Sequence, residues 1–376
     1  MKRTTQAAVA IALVSFILVP ELGGCAAVKP PIPQVSTSKQ NETPAPASQA
    51  PVANQTPAPA PVVPQRPAWV TPITDANFQD VVNKYHPNEL GKVLVLEYHD
   101  FKDTDERWAR SWSSFRKDLE TLYSKGFRAV NLSDYLNNSM PLPAGTSPVI
   151  FTFDDSFANQ LKLVKGPDGQ WQADPKSAVG IMLQFKKEHP DFGAAGTFYC
   201  NFTPVPFREP DNWKEKIQFL IDNGFEIGNH TQYHEDLSTL TDAQTQKTLA
   251  TQVKLMQQAL PKYDGDTLAL PFGIWPKNHQ LAIQGQYDGI SYSHKAVLLV
   301  GADPTYAPLD KRLDLMAMTR VQAIDSEFAR WYPYLDKYRF ISDGDPDSVT
   351  IPDDMQSYLK PGDLGGKTLR TYKSQG

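Results

Sequence analysis

The stretch KVLVLEYH, residues 92–99, decides the fold of this chain. Residues 93–96 are apolar without interruption, which predicts a strand that is covered on both faces, as strands of parallel sheets are. The segment 111–126 follows with one apolar helical face, and Gly126 ends it. The folded part therefore begins with a strand and a helix.

The same alternation of strand and helix continues toward the C-terminus. Further strand candidates are FRAVNL (127–132), PVIFTFDD (148–155), AAGTFYCNF (194–202), FEIGNHT (225–231), TLALPFG (267–273) and SHKAVLLVG (293–301). Repeated units of this size give parallel strands with right-handed crossovers. In residues 160–174 a GPDG turn separates two alternating runs, which indicates a hairpin. We expect an α/β fold: a (β/α) barrel of about seven parallel strands, closed or incomplete, with an inserted hairpin.

The N-terminus has the pattern of an export signal. Lys2 and Arg3 precede an almost wholly apolar run, residues 7–20, which is too short to span a bilayer. The sequence LGGC at 22–25 resembles a bacterial lipobox, and this resemblance implies cleavage before Cys25 and lipidation of that cysteine. The alternative is an ordinary secretory signal followed by an incidental cysteine.

A proline-rich segment separates this signal from the folded part. Twelve prolines fall within residues 26–72, and no hydrophobic period survives there, so the segment is expected to be an extended tether. We therefore predict a signal peptide at 1–24, a lipidated Cys25 with its tether at 25–72, and one domain at 73–376. The predicted location is extracytoplasmic, on a bacterial membrane to which the lipid at Cys25 anchors the chain.

Charge and cysteine content restrict the partners. The formal net charge is −5 and no basic stretch is present, which argues against a nucleic-acid partner. Cys200 is the only other cysteine, so no intramolecular disulfide is expected once Cys25 is lipidated. Because Cys200 lies in an apolar run, we expect a buried structural thiol and not a nucleophile.

Carboxylates and imidazoles stand where two predicted strands end. Asp154 and Asp155 end PVIFTFDD, and His230 and His234 follow FEIGN. In barrels of this class the chemistry lies at the carboxyl ends of the strands. Imidazole nitrogen and carboxylate oxygen are ligands for zinc, which keeps a position open for water in catalytic sites. One aspartate can then bind the metal while the other serves as a general base. A lone histidine is more often a surface or packed residue, and HxxxH alone is a weak signal.

Together, these motifs resemble those of the polysaccharide deacetylases, the NodB-like carbohydrate esterases of family four. TFDDS (152–156) is similar to the family's first motif, HTQYH (230–234) to its second and ALPFG (269–273) to its third. The resemblance implies that Asp154 is the catalytic base and that Asp155, His230 and His234 bind a divalent metal, with zinc as the expected ion. It also implies that the substrate groove is lined by Pro271, Phe272 and Gly273, where a backbone N–H contributes to an oxyanion hole.

The chain departs from the family pattern at three places. Ser156 stands where the family has glycine, which is acceptable if the backbone does not need a positive φ there. Ala269 replaces the arginine that holds the base in the family, and Arg320 is one candidate to take over that role. The usual C-terminal leucine-x-histidine motif, which supplies the general acid, is absent after residue 294.

The third departure bears on His99. In the circularly rearranged deacetylases of poly-N-acetylglucosamine, which this chain resembles most, the acid histidine lies on the first strand, ahead of the aspartate pair. EYHDF (97–101) has that position, so the resemblance implies that His99 is the general acid. His294 is the second candidate for the acid. Alternatively, His99 merely ends its strand.

The implied function is hydrolysis: the removal of N-acetyl groups from an N-acetylglucosamine-containing polysaccharide at the cell envelope. Two alternatives stay open at this point. The site can belong to a deacetylase or esterase that acts on peptidoglycan or xylan, or the chain can be an inactive, surface-anchored sugar-binding homologue. The missing arginine favours the inactive homologue, whereas the complete set of aspartates and histidines favours an enzyme.

Overall fold

A computed structural model of the chain describes residues 70, 72–362 and 364–374, which fall in one compact unit, Pro64–Gly376. The predicted signal peptide, Cys25 and the tether up to residue 69 lie outside the described residues. Among the residues that are described, no helix is both long and apolar enough to cross a membrane.

The elements of secondary structure are as follows. The helices are α1 (Phe78–Tyr85), α2 (Trp112–Ser124), α3 (Leu132–Leu136), α4 (Ala178–Glu188), α5 (Trp213–Asp222), α6 (Asp242–Met256), α7 (Gln280–Ile283) and α8 (Asp325–Tyr338). The strands are β1 (Leu94–Tyr98), β2 (Asp100–Lys102), β3 (Ala109–Ser111), β4 (Phe127–Ala129), β5 (Ser147–Phe153), β6 (Leu163–Lys165), β7 (Trp171–Ala173), β8 (Thr197–Cys200), β9 (Glu226–Asn229), β10 (Thr267–Ala269), β11 (Gln284–Tyr287), β12 (Ile290–Ser293), β13 (Ala296–Leu298), β14 (Val321–Gln322), β15 (Ser348–Pro352) and β16 (Thr368–Tyr372).

The main sheet is parallel throughout. Its strand order is β13-β10-β9-β8-β5-β1-β14, and β4 pairs with the early part of β5. The two ends of this order approach each other, because Met318, just before β14, forms a parallel bridge with Leu298 of β13. The sheet is therefore a curved, incompletely closed barrel, which confirms the predicted α/β fold of about seven parallel strands. The inserted hairpin is also present, as the antiparallel pair β6 and β7.

Alternation along β1 and β5 directs their side chains to two different layers. Leu94, Leu96 and Phe151 pack in a core cluster with residues of α2 and α4. Val95 and Ile150 belong to a second cluster, which includes residues of β8, β10 and β13. Every residue of the two strands is buried, as the uninterrupted apolar runs predicted. By the same alternation, the side chains at 97 and 152 share the inner layer with those at 95 and 150.

Elements with a weak local signal differ from the prediction. Helix α3 follows the predicted strand 127–132 so closely that Leu132 belongs to the helix, and Asn131 has the cap position. The sequence did not reveal β14, because a strand of two residues shows no period. The C-terminal part, where the sequence predicted no element, contains the parallel pair β15 and β16.

Candidate active site

Asp155, His230 and His234 converge at the carboxyl ends of β5 and β9. The Asp155 Oδ1 atom lies 3.3 Å from Nε2 of His230 and 3.2 Å from Nε2 of His234. The other ring nitrogen of His230 lies 2.8 Å from the carbonyl oxygen of Ala269, which fixes the ring so that Nε2 faces Asp155. These are the three residues that the sequence predicted as metal ligands, and the structure brings them together.

The geometry of this group fits a tetrahedral metal. Zinc bonds of about 2.0–2.1 Å place neighbouring ligand atoms roughly 3.3 Å apart, which agrees with the two distances from Asp155. The Nε2 atom of His230 is also buried and has no hydrogen-bond partner. Burying a polar atom without a partner costs free energy. Coordination of a metal by this nitrogen would remove that cost. The hydrogen bond from the far side of the ring is the usual support of a metal-binding histidine.

Asp154 is held by a different partner. Both oxygens of its carboxylate accept hydrogen bonds from the Arg320 guanidinium, at 2.8 Å from Nη1 and 2.8 Å from Nη2. Arg320 is itself fixed by a hydrogen bond of 2.7 Å to the carbonyl oxygen of Leu299 and one of 3.0 Å to Thr152 Oγ1. Burial disfavours the charged carboxylate, but the Arg320 guanidinium outweighs burial and holds the pKa of Asp154 well below its usual range. Asp154 is therefore ionised at neutral pH.

Arg320 thus contacts Asp154 in the way expected of the family arginine, whose position in the sequence is held here by Ala269. It lies just before β14, at the far edge of the sheet from β10, and reaches Asp154 across 166 positions of the chain. The sequence named it only as one candidate. The structure shows the contact directly, as a fully buried bidentate ion pair.

Glu97 is a site residue that the sequence analysis missed. Its Oε1 atom lies 3.5 Å from Nη2 of Arg320 and 3.7 Å from Nε2 of His99, while Oε2 accepts a hydrogen bond of 2.9 Å from the Gly301 N–H. A buried charge requires a partner, and this carboxylate shares the Arg320 cation with Asp154. The available signal was the charged residue inside the apolar run LVLEY, since such a residue is rarely buried without a role.

His99 lies at the carboxyl end of β1, beside Asp154. Ligand-type atoms of Glu97, His99 and Asp154 all lie within 4.8 Å of one another. His294, the second candidate, is absent from both ligand groups found among the described residues. It precedes β13, which runs parallel to β10, and so it lies at the amino ends of the strands. There it is buried, and burial lowers the pKa of His294 to about 4.

The third motif forms a tight turn beside the histidines. Pro271, Phe272 and Gly273 follow β10 as one 3-10 turn, and the Phe272 ring lies 4.5 Å from that of His234. Gly273 has φ +70, and a Cβ atom there would come within 3.1 Å of Val300. Within the described part of the chain the N–H of Phe272 has no hydrogen-bond acceptor, so it is free to donate to a ligand.

Several residues of this site have a strained backbone. Positive φ angles occur at Asp155 (71°), Ser156 (46°), Thr231 (61°), His234 (58°) and Phe272 (59°), none of which is glycine. The left-handed conformation costs such residues about 1–2 kcal/mol each, and it is retained mostly at functional sites. The turn at 155–156 also explains how adjacent aspartates, which point to opposite faces of a regular strand, both reach the site. Position 156 does require the φ that favours glycine, so Ser156 is tolerated there under strain.

Comparisons with known proteins agree with these motifs. Residues 193–289 match the family model described as polysaccharide deacetylase, a segment that includes HTQYH and ALPFG and begins after TFDDS. No curated protein sequence matches the chain.

Several solved structures are similar to part of this chain. IcaB from Ammonifex degensii is 17% identical with a TM-score of 0.45, over 65% of this chain and 97% of that one. The deacetylase PplD from Streptococcus pyogenes is 15% identical with a TM-score of 0.45, over 62% and 92%. The polysaccharide deacetylase BC0361 from Bacillus cereus is 17% identical with a TM-score of 0.47, over 64% and 69%.

The matched segment contributes His230, His234 and the Pro271–Gly273 turn to the site, and the structure adds the aspartate pair of the first motif from β5. The three motifs, which are far apart in the sequence, thus meet at one edge of one parallel sheet. Over residues 193–289 the chain is therefore similar to the polysaccharide deacetylase family.

Proposed function

We propose that this protein is a metal-dependent hydrolase that removes N-acetyl groups from an N-acetylglucosamine-containing polysaccharide at the cell envelope. One observation carries the proposal. A group of metal-ligand geometry, Asp155, His230 and His234, lies beside a second carboxylate, Asp154, that is kept ionised by its own arginine. Separate environments for two adjacent carboxylates are typical of a site in which one binds and the other transfers protons.

Asp155, His230 and His234 would hold the metal, with zinc as the expected ion. When bound, such an ion polarises the acetamide carbonyl and lowers the pKa of a bound water.

The protein's own groups would carry the protons. Asp154 takes the proton from the water as its oxygen adds to the acetyl carbon, and each carboxylate oxygen has a second lone pair besides the one that faces Arg320. The N–H of Phe272 donates a hydrogen bond to the carbonyl oxygen as negative charge develops there. His99 donates a proton to the nitrogen as the C–N bond breaks, because an amide anion is a poor leaving group. The products are acetate and a glucosamine unit.

The location follows from the N-terminal sequence. A lipid on Cys25 would anchor the chain in a bacterial membrane, and an extended segment of residues 26–72 would span on the order of 100 Å at about 3.1 Å per residue. Such a tether would let the domain reach polymers within the envelope.

A direct test measures acetate. The purified protein is incubated with N-acetylglucosamine oligomers in three states: as isolated, after treatment with a chelator, and after zinc is added back. We expect acetate release that the chelator abolishes and zinc restores. Absence of acetate release by the zinc-loaded protein would contradict the proposal. The same assay on acetylated peptidoglycan and xylan separates the alternative substrates.

The inactive sugar-binding homologue is less well supported. Its best argument was the alanine at position 269, and the bidentate contact between Arg320 and Asp154 removes that argument. A pure binding protein also has no need of an ionised, buried carboxylate beside a metal-ligand group.

A further inference from the structure

Trp108 is an exposed aromatic side chain next to His99. It ends the segment 103–108 between β2 and β3, and 42% of its surface is exposed. Its ring centroid lies 4.8 Å from that of His99, with 63° between the planes. Single exposed aromatic residues are common on protein surfaces, but the ring of this one lies directly against that of the candidate acid.

The surrounding chain holds the backbone at Trp108, and Arg107 and His99 contact its ring. The carbonyl oxygen of Trp108 accepts a hydrogen bond of 3.0 Å from the Asp100 N–H, and the Arg107 guanidinium lies over the indole at 5.1 Å. Asp105 ties the segment to α2, because its carboxylate accepts bonds from the Ser111 N–H and the Ser114 hydroxyl. A ring that is already held loses little conformational entropy when a ligand covers it.

The space behind the ring is too small for a sugar. The cleft between Trp108, Arg107 and Gln322 encloses about 10 Å³, which is enough for about one water molecule. A ligand that uses Trp108 must therefore lie against its exposed surface.

We propose that Trp108 is the stacking platform for the pyranose unit whose acetamide is cleaved. The inference rests on the proposed function, in which His99 donates a proton to the nitrogen of that acetamide. This nitrogen is bonded directly to a carbon of the pyranose, so the sugar ring must lie within a few bond lengths of His99. Trp108, whose ring contacts His99, is within stacking reach of the same sugar. The C–H groups of a pyranose face are weakly apolar and fit the electron-rich face of an indole.

This assignment makes Trp108 a residue that determines specificity. It favours acetyl groups carried by a pyranose over acetyl groups on small compounds, which have no sugar face to stack. A different role is that Trp108 only positions His99. The two roles differ in what they affect: a platform contributes to binding, and a positioning contact contributes to proton transfer.

The test compares Trp108→Ala and Trp108→Phe with a matched control, Trp171→Ala. Trp171 is 39% exposed and has Lys165 Nζ 3.8 Å from its ring centre, but it lies on the β6–β7 hairpin. Binding of an N-acetylglucosamine pentamer is measured by calorimetry, together with kcat and KM for the pentamer and for an aryl acetate ester.

For Trp108→Ala we expect Kd and KM for the pentamer to rise about 10-fold, with kcat changed less than about 3-fold. Trp108→Phe should keep most of the affinity, and Trp171→Ala should match the parent on both substrates. The proposed role of Trp108 is refuted if Trp108→Ala binds the pentamer as tightly as the parent, or if only kcat falls in this variant. It is also refuted if the parent does not bind the pentamer. A parent that binds the pentamer but releases no acetate would refute the proposed function and leave the calorimetric comparison to decide the platform.

Discussion

The substitution Arg320→Met examines the ion pair on which the candidate base depends. Methionine roughly preserves the volume of the side chain but removes the guanidinium that contacts both Asp154 and Glu97. Both carboxylates are fully buried, with side-chain exposures of 1% and 0%. Breaking a buried pair from one side costs about 3–5 kcal/mol of unfolding free energy, because an uncompensated charge remains. We expect a loss in this range at pH 7 in urea unfolding.

The loss should depend on pH, and its sign follows from the pKa of Asp154. In the parent this pKa is depressed, so ionisation stabilises the fold above the unfolded pKa, about 3.9, and the contribution is lost as pH falls through the folded pKa. In the variant we expect burial to raise the pKa of Asp154 in the folded state above its unfolded value. As pH rises, the carboxyl group then ionises more readily in the unfolded chain, which lowers the unfolding free energy. The deficit of the variant should therefore grow from pH 4 to pH 7, by up to about 1.4 kcal/mol per pH unit for one carboxyl group.

Arg128→Met is the matched control. Arg128 makes two hydrogen bonds to Asp191, at 3.1 Å and 2.7 Å, but the Asp191 side chain is 43% exposed. A pair of this kind contributes at most about 1 kcal/mol, with little dependence on pH between 4 and 7. In acetate release, Arg320→Met should lose about 10²-fold in kcat/KM, since displacement of a catalytic group by about 1 Å has that effect. Equal stability losses in the two variants, or an Arg320→Met deficit that is constant with pH, would refute the reasoning.

Three further predictions concern the remaining assignments. Asp154→Asn should retain the metal and lose nearly all turnover, whereas Asp155→Asn should lower zinc affinity on the order of 100-fold; metal content and acetate release check this, and identical behaviour of the two variants would contradict the division of roles. His99→Ala should lower turnover on sugar oligomers by about 10²–10⁴-fold with metal content unchanged, and much less on an activated aryl ester, while His294→Ala should stay near the parent; the reverse order would assign the acid to His294. Cys25→Ser should release the chain from the membrane fraction or block its processing, and a processed variant that stays membrane-bound would point to another anchor.

Local sequence patterns were sufficient for much of this protein. Continuous apolar runs predicted β1 and β5, because a strand covered on both faces has no polar side to show. The same patterns predicted where each strand ends, and in a parallel sheet all carboxyl ends meet at one edge. That rule alone places the aspartates after β5 and the histidines after β9 in one site.

The tertiary structure decided which distant groups complete the site. The strand order puts β14 next to β1, and only that order brings Arg320 to Asp154 and Glu97. The separation of His99 from His294 had the same origin, since one follows its strand and the other precedes it, at opposite edges of the sheet. Hydrophobic periodicity records how each segment is buried, which is a local property. The neighbours of a segment depend on how all strands and helices close around the common cores, and no window of the sequence contains that information.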